Sequence, residues 1–221
     1  MKKNKIVYIQ NLNTDVDRLY NELLNKKGQF LFISYKGIKY ALTKEKSIIP
    51  INDTKTFLNS VKNDIYYKTI IKTENVTLDK KDLELYKQYI GKFKNKLIEK
   101  KYNDKYYFGS VAIKTVNGFI TTIRGKQDLN KYTLVLNVDH DNHIINVLNK
   151  KATLNAPLLD YIFKNRKVKA IVHLHEFDNK LPFYGYAFPG TLKDSVRNNT
   201  TSFNIMYHGV IYLFDKNGNI L

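Results

Sequence analysis

The residues of this chain best suited to chemistry are its five histidines. Two of them stand in Val172-His173-Leu174-His175-Glu176. Side chains alternate faces along a β-strand, so His173 and His175 project to one side, one pleat apart. Two imidazoles at that spacing suit two ligand positions of one divalent metal ion, and a third ligand must come from elsewhere. A bare His-x-His fits two readings, half of a metal site or a hydrogen-bonded or solvated strand end, because ligation is only one use of histidine. His208 opens a second apolar run, Gly209 to Phe214, and is a candidate third ligand. His140 and His143, in Asp139-His140-Asp141-Asn142-His143, fit a surface hairpin turn. Glu176 follows His175 directly, although alternation points it to the other sheet face unless the strand ends there. Asp160 and Asp178 are further acidic candidates, and Tyr184, Tyr186 and Tyr207 are candidate acids in a chain with 17 tyrosines. No cysteine is present, which excludes disulfides and thiolate chemistry and leaves nitrogen and oxygen ligands.

Composition narrows the class. The chain has 221 residues, 43% of them hydrophobic, with 12 Phe, enough for a substantial core. No apolar run approaches the ~18 residues of a membrane span. The basic N-terminus is followed by Ile6-Val7-Tyr8-Ile9, too short for the apolar core of a signal peptide, so a cytoplasmic location is expected. The formal charge of +17 suggests nucleic acid at first sight. However, only Arg18, Arg124, Arg166 and Arg197 are arginines, and arginine carries most bidentate base and phosphate reading. The lysines are also spread along the chain. A small anionic substrate accounts for the charge as well, and nucleic-acid binding is not expected.

Several elements must position the histidines. A strand over 5–10 and a helix through Leu19, Leu23 and Leu24 are predicted first. Strands follow over 30–35, 40–42 and 47–51, then a short helix over 56–61 and a strand over 65–71. Residues 1–78 offer no histidine, phosphate loop or carboxylate cluster, and read as a small α/β extension of unknown role. Thr77-Leu78-Asp79 opens the longest helix, whose stripe of Leu83, Tyr86, Ile90, Phe93 and Leu97 faces a core and which is predicted to end near 102–104. Antiparallel strands are predicted over 109–114, 119–124, 133–138 and 143–147, with turns at Asn117-Gly118 and Asp141-Asn142. A helix over 157–164, with Asn155 as N-cap and Pro157 in its first turn, leads into the histidine strand.

This order of signals resembles the class II aldolase and adducin family over about residues 80–221. Tyr186 to Val196, with Pro189-Gly190-Thr191, looks like that family's Pro-Gly-Ser/Thr segment opening a helix. Tyr207-His208-Gly209-Val210 is similar to its Asn-His-Gly-Val segment. Gly109 and Ser110 sit where the family has a strand that helps hold a substrate phosphate, and Thr122-Ile123-Arg124-Gly125 where it has a Thr-Pro-Ser-Gly turn.

The resemblance implies a three-layer α/β/α fold with a mixed, mostly antiparallel sheet, formed by residues 79–221. It implies a divalent metal on His173, His175 and His208, most simply Zn2+, with Mn2+, Co2+ or Fe2+ as alternatives. It implies a lyase or isomerase (aldolase, epimerase or dehydratase) acting through a metal-stabilised enediolate on a small phosphorylated or acidic sugar derivative. Gly109, Ser110, Thr122, Arg124, Gly125, Thr153 and Asn155 are then candidate substrate-binding residues, Glu176 and Tyr186 candidate catalytic groups, and a homo-oligomer is expected. One departure is chemical. The family's Ser-Ser-Glu is here Thr153-Leu154-Asn155, and an amide cannot take up and hold a proton near neutral pH. That departure favours a non-catalytic, adducin-like binding module; retention of three histidines favours the enzyme. Another departure is in length: the family usually continues with a helix or two past its third histidine.

Overall fold

The structure is a computed structural model that describes residues 19, 23, 30–44, 47–73, 75–97, 107–126, 128–196 and 200–221. The strand predicted over 5–10, most of the first predicted helix and the predicted end of the longest helix lie outside the described residues. The chain divides into two compact units, 1–63 and 64–221.

In the first unit, β1 (Phe30–Tyr35), β2 (Ile38–Thr43) and β3 (Ile48–Ile51) form an antiparallel sheet, followed by α1 (Thr54–Asn63). Lys36 and Gly37 both have positive φ (47° and 78°), as a two-residue hairpin turn requires. The Phe57 ring packs edge-on against Phe30 and Phe32 at 5.2 and 5.8 Å. Leu19 and Leu23 are helical and buried.

The second unit is built on a nine-stranded sheet. Its strands are β4 (Lys68–Lys72), β5 (Ser110–Thr115), β6 (Gly118–Thr122), β7 (Tyr132–Asp139), β8 (Ile144–Leu148), β9 (Ala170–Leu174), β10 (Phe183–Tyr184), β11 (Phe203–Ile205) and β12 (Gly209–Phe214). They lie in the order β10-β11-β12-β9-β5-β6-β7-β8-β4, and only the edge pairs β10–β11 and β4–β8 are parallel. Because β4 pairs with β8, residues 64–78 belong with this unit, and the boundary falls earlier than the one expected after residue 78.

Alternation along the strands feeds a core on each face of the sheet. On one face α2 (Lys80–Leu97) buries Tyr86, Tyr89, Ile90 and Leu97 against Val111, Ile113, Val172, Leu174 and Val210. On the other, α3 (Ala156–Phe163) buries Leu158, Leu159, Ile162 and Phe163 against Ala112, Phe119, Ile171 and Ile211. The result is the expected three-layer α/β/α arrangement with a mixed, mostly antiparallel sheet. A short helix, α4 (Leu192–Ser195), follows Pro189-Gly190-Thr191, and Thr191 caps it by accepting from the Asp194 amide at 3.2 Å. No helix among the described residues is long and apolar enough to cross a membrane.

Candidate metal centre

β9 lies between β5 and β12, so its backbone is hydrogen-bonded on both sides. Ile171 packs on the α3 face and Val172 on the α2 face, which places His173 on the α3 face. His175 lies just past the end of the strand. His208 arrives from the turn joining β11 to β12, where its amide donates to Ile205 O at 3.1 Å and Tyr207 is held at φ 60°.

The meeting of these segments depends on two glycines. A Cβ on Gly209 (φ 143°) would stand 2.0 Å from Leu174 O, and one on Gly109 (φ 72°) 2.3 Å from His173 O. Both strands approach the histidine strand more closely than any side chain allows.

Ring centroids of His173, His175 and His208 stand 4.6–4.9 Å apart, and one ring nitrogen from each lies within 4.8 Å of the others. His173 and His208 are buried and His175 half-buried. This is the one such group of histidine and acidic side chains among the described residues, and it contains no carboxylate. Burial first, then the positive charges His208, His175 and Lys126 would contribute, hold the His173 pKa well below the usual imidazole value. The ring is therefore neutral near pH 7, the state a metal ligand requires. Its Nε2 is buried with no hydrogen-bond partner among the described residues. An all-nitrogen donor set, with one imidazole held neutral and its Nε2 buried and unpartnered among the described residues, fits a divalent metal of the zinc type.

Asn155 sits at the N-cap position of α3, as expected, but its side chain makes no capping hydrogen bond. Pro157 in the first turn already removes one amide that would need a cap. Instead the buried Asn155 amide lies against the imidazole, with Nδ2 2.7 Å from His173 Nδ1. A half-turn of that amide presents Oδ1 to a protonated Nδ1 and leaves the lone pair on Nε2, the arrangement that ligation demands. The expected cap is thus a support for the histidine ring.

The remaining candidates divide. Ser110 pairs directly with His173 across β5–β9, so both point to the same face; its buried Oγ has no hydrogen-bond partner among the described residues. The Tyr186 hydroxyl is buried, and its ring lies 6.2 Å from His208 and 5.3 Å from Phe188. Thr153 and Thr122 are joined by backbone, Thr153 N donating to Thr122 O at 3.1 Å. The Thr122 side chain follows Thr121, which pairs with Ala112 of the α3-side core, so alternation turns it to the α2 side. Arg124 and Gly125 are exposed.

None of the three acidic candidates enters the histidine group. Glu176 forms a surface ion pair with Lys96 at 2.5 Å. Asp178 accepts from Tyr212 at 3.1 Å. Asp160 contacts His140 at 2.9 Å, so the 139–143 turn, expected at the surface, sends one histidine inward to a partner.

One residue escaped sequence reasoning. Lys126 is 5% exposed, donates from Nζ to Gly109 O at 2.5 Å, and acts electrostatically on His173. No local pattern distinguishes it from the chain's many solvated lysines, because its burial depends on the distant strand β5.

No family model matches the chain, and no curated protein matches it. Among solved structures, YgbL from Escherichia coli, provisionally described as an aldolase/epimerase/decarboxylase, is similar at 14% identity and a TM-score of 0.42, over 61% of this chain and 80% of that one. YgbL from Klebsiella pneumoniae is similar at 14% identity and a TM-score of 0.43, over 62% and 80%. An L-fuculose-1-phosphate aldolase from Thermus thermophilus is similar at 16% identity and a TM-score of 0.41, over 62% and 82%.

Proposed function

We propose that His173, His175 and His208 hold a divalent metal ion, zinc foremost, and that the protein is a lyase or isomerase acting on a small anionic sugar derivative. The observation that carries this reading is the carboxylate-free histidine group, with ligand atoms within 4.8 Å of one another and an unpartnered, buried His173 Nε2. A metal on three neutral imidazoles keeps its full charge and supplies Lewis-acid polarisation of a substrate carbonyl.

The chain's own residues divide the remaining work. Asn155 fixes the His173 ring and its tautomer. Ser110 offers a hydroxyl beside His173. Phe108, 5.5 Å from His175, and Phe188 beside Tyr186 limit water around the rings. The Tyr186 hydroxyl, on a ring 6.2 Å from His208, is the candidate proton donor, since Glu176 is engaged with Lys96 and Asn155 cannot hold a proton. A second reading, a metal-bearing binding module without turnover, is favoured by Asn155 alone.

Metal analysis of purified protein tests the centre. About one equivalent of metal is expected, lost in His173→Ala; no bound metal in either protein would overturn the reading. The metal-loaded protein assayed for aldol cleavage and for proton exchange beside a carbonyl then separates the enzyme from the module.

A further inference from the structure

We propose that a cleft at the far end of β5 and β9 from the histidine group is a second ligand site, where Lys114 and Arg166 receive the phosphate of a small phosphate monoester. The inference does not rest on the reading of the histidine group. Ser110 stands opposite His173 and Ile113 opposite Ala170, and Lys114 N donates to Lys169 O at 2.9 Å, so the two strands run side by side away from the histidines. Lys114 is four residues beyond Ser110, about 13 Å at the rise of a strand. There the start of α2 and the turn after α3 flank the end of the sheet and leave a cleft of about 720 Å3, a size that suits a small molecule.

The charge left open in this cleft is positive. Three carboxylates line it, and each is already engaged. Asp82 pairs with Lys169 at 2.8 Å, Asp79 accepts from the Lys81 amide at 2.9 Å, and Asp215 accepts from the Asn217 and Asn219 amides at 2.8 and 2.9 Å. Lys169 is held by Asp82 and by the carbonyl of Lys114. Lys114, half-buried, donates only to another neutral carbonyl, Phe163 O at the end of α3. The Arg166 side chain is exposed and has no hydrogen bond or ion pair among the described residues. Burial first, then the charges of Arg166 and Lys169, hold the Lys114 pKa below the usual lysine value, and the Asp160 carboxylate, the smallest of these influences, opposes them. Three cations thus stand close enough to repel one another, and an anion that joins them relieves that repulsion.

An ammonium with two donors to spare and a free guanidinium fork are what the oxygens of a phosphate take. Arg166 is presented by a fixed turn, in which Asn165 N donates to Ile162 O at 2.9 Å and Lys167 N to Asn165 Oδ1 at 3.1 Å. Thr115 also lines the cleft, and its buried Oγ1 has no hydrogen-bond partner among the described residues. Alternation turns Thr115 to the α2 side, where it meets the body of the ligand and not its phosphate. The three acids in the same cleft repel the successive phosphates of a polyanion, and so favour a small ligand with one phosphate. A lysine that merely capped α3 would account for Lys114 and leave the guanidinium and the hydroxyl unused.

The test is calorimetric titration of the full chain with ribose 5-phosphate, with ribose as the phosphate-free control. Saturable binding of the phosphate ester and none of ribose is expected. Arg166→Met and Lys114→Met should each weaken that binding at least tenfold, while Lys131→Met, at an exposed lysine outside the cleft, leaves it unchanged. Binding at the cleft should persist in His173→Ala. Equal affinity in wild type and Arg166→Met, an equal loss in Lys131→Met, or no saturable binding at all would overturn the proposal. So would binding that disappears in His173→Ala and survives in Arg166→Met, which would assign the ester to the histidine group. Should Lys114→Met fail to fold, Arg166→Met decides, because removing an exposed side chain strands no buried group. Absence of bound metal would sink the histidine centre and leave this site standing; a metal centre with no loss in Arg166→Met would do the reverse.

Discussion

Two groups of histidines are carried by the second unit, and they differ in what meets the ring nitrogens. His140 is satisfied from within the chain. Its Nε2 lies 2.9 Å from Asp160 Oδ2 and its Nδ1 2.7 Å from the Tyr67 hydroxyl. The line continues from Tyr67 to Ser195 Oγ at 3.2 Å and ends with Ser195 donating to Leu192 O at 2.8 Å. His173 has one nitrogen against Asn155; the other is buried with no partner among the described residues, beside two further imidazoles and no acid. Buried polar atoms are almost always hydrogen-bonded, and exceptions call for a cause. Both nitrogens used internally mark a histidine that ties elements together. A nitrogen left over, in a ring kept neutral by burial, marks one that awaits a ligand.

Exchanging the two histidines' fates is the sharpest way to break this contrast. His173→Ala is expected to abolish stoichiometric metal retention, whereas His140→Ala leaves metal content unchanged and costs about 1–3 kcal/mol of stability by stranding Asp160 and Tyr67. Elemental analysis beside denaturant titration reads both. Metal loss in His140→Ala alone would invert the assignment.

Next in size is Lys126, the charge that presses on the unsatisfied group. Its folded pKa of about 8 lies below the ordinary lysine value near 10.5. Between those values the unfolded chain binds more protons than the folded one, so stability rises with pH across that window. The gain is about 3 kcal/mol between pH 8 and 10.5, set by the width of the window. Other lysines and tyrosines titrate there too, so the readout is the difference from Lys126→Met, which lacks this rise. Parallel curves for wild type and variant would show that no buried charge sits at Lys126.

Asn155 carries a smaller effect. Partners that orient a ligating histidine typically contribute 10- to 100-fold in metal affinity. Asn155→Leu should weaken metal binding by about that factor, and Asn155→Asp, which can only accept from Nδ1–H, should preserve or tighten it. Competition with a chelating dye measures both. Equal affinities in all three proteins would reduce the 2.7 Å contact to packing.

The same contrast separates what local sequence carries from what it does not. Alternation placed His173 and His175 on one face, and the stripe of α2 buries Tyr86, Ile90 and Leu97 as read, because both follow from backbone period alone. Partners distant in the chain do not follow. The 65–71 segment reads as a strand, but nothing in it reveals that β4 joins β8 in parallel at the sheet edge. Asn155 was recognisable as the residue before a helix; its actual bond, to a ring 18 positions on, was not. His140 looked like turn decoration because its acceptor Asp160 and its neighbour Tyr67 come from other elements. Lys126 shows the limit most plainly, since a buried lysine and a solvated one are the same letter.

The mildest cut falls on the satisfied side. Tyr67 is 8% exposed and links three elements, with its hydroxyl between His140 and Ser195 and its amide donating to Gly190 O at 3.0 Å. Burial raises the pKa of that hydroxyl, and with it the share of the protonated form able to donate. Tyr67→Phe keeps the ring and the backbone bond and removes only the hydroxyl. Ser195 keeps its acceptor at Leu192 O and His140 keeps Asp160, so the cost is that of the hydroxyl's two contacts, about 1–2 kcal/mol. Because Gly190 packs beside Leu154, next to Asn155, a tie that mattered to the metal group would also lower metal affinity. The contrast requires a change in stability and none in metal content. A loss of both would mean that the two histidine groups are one coupled device.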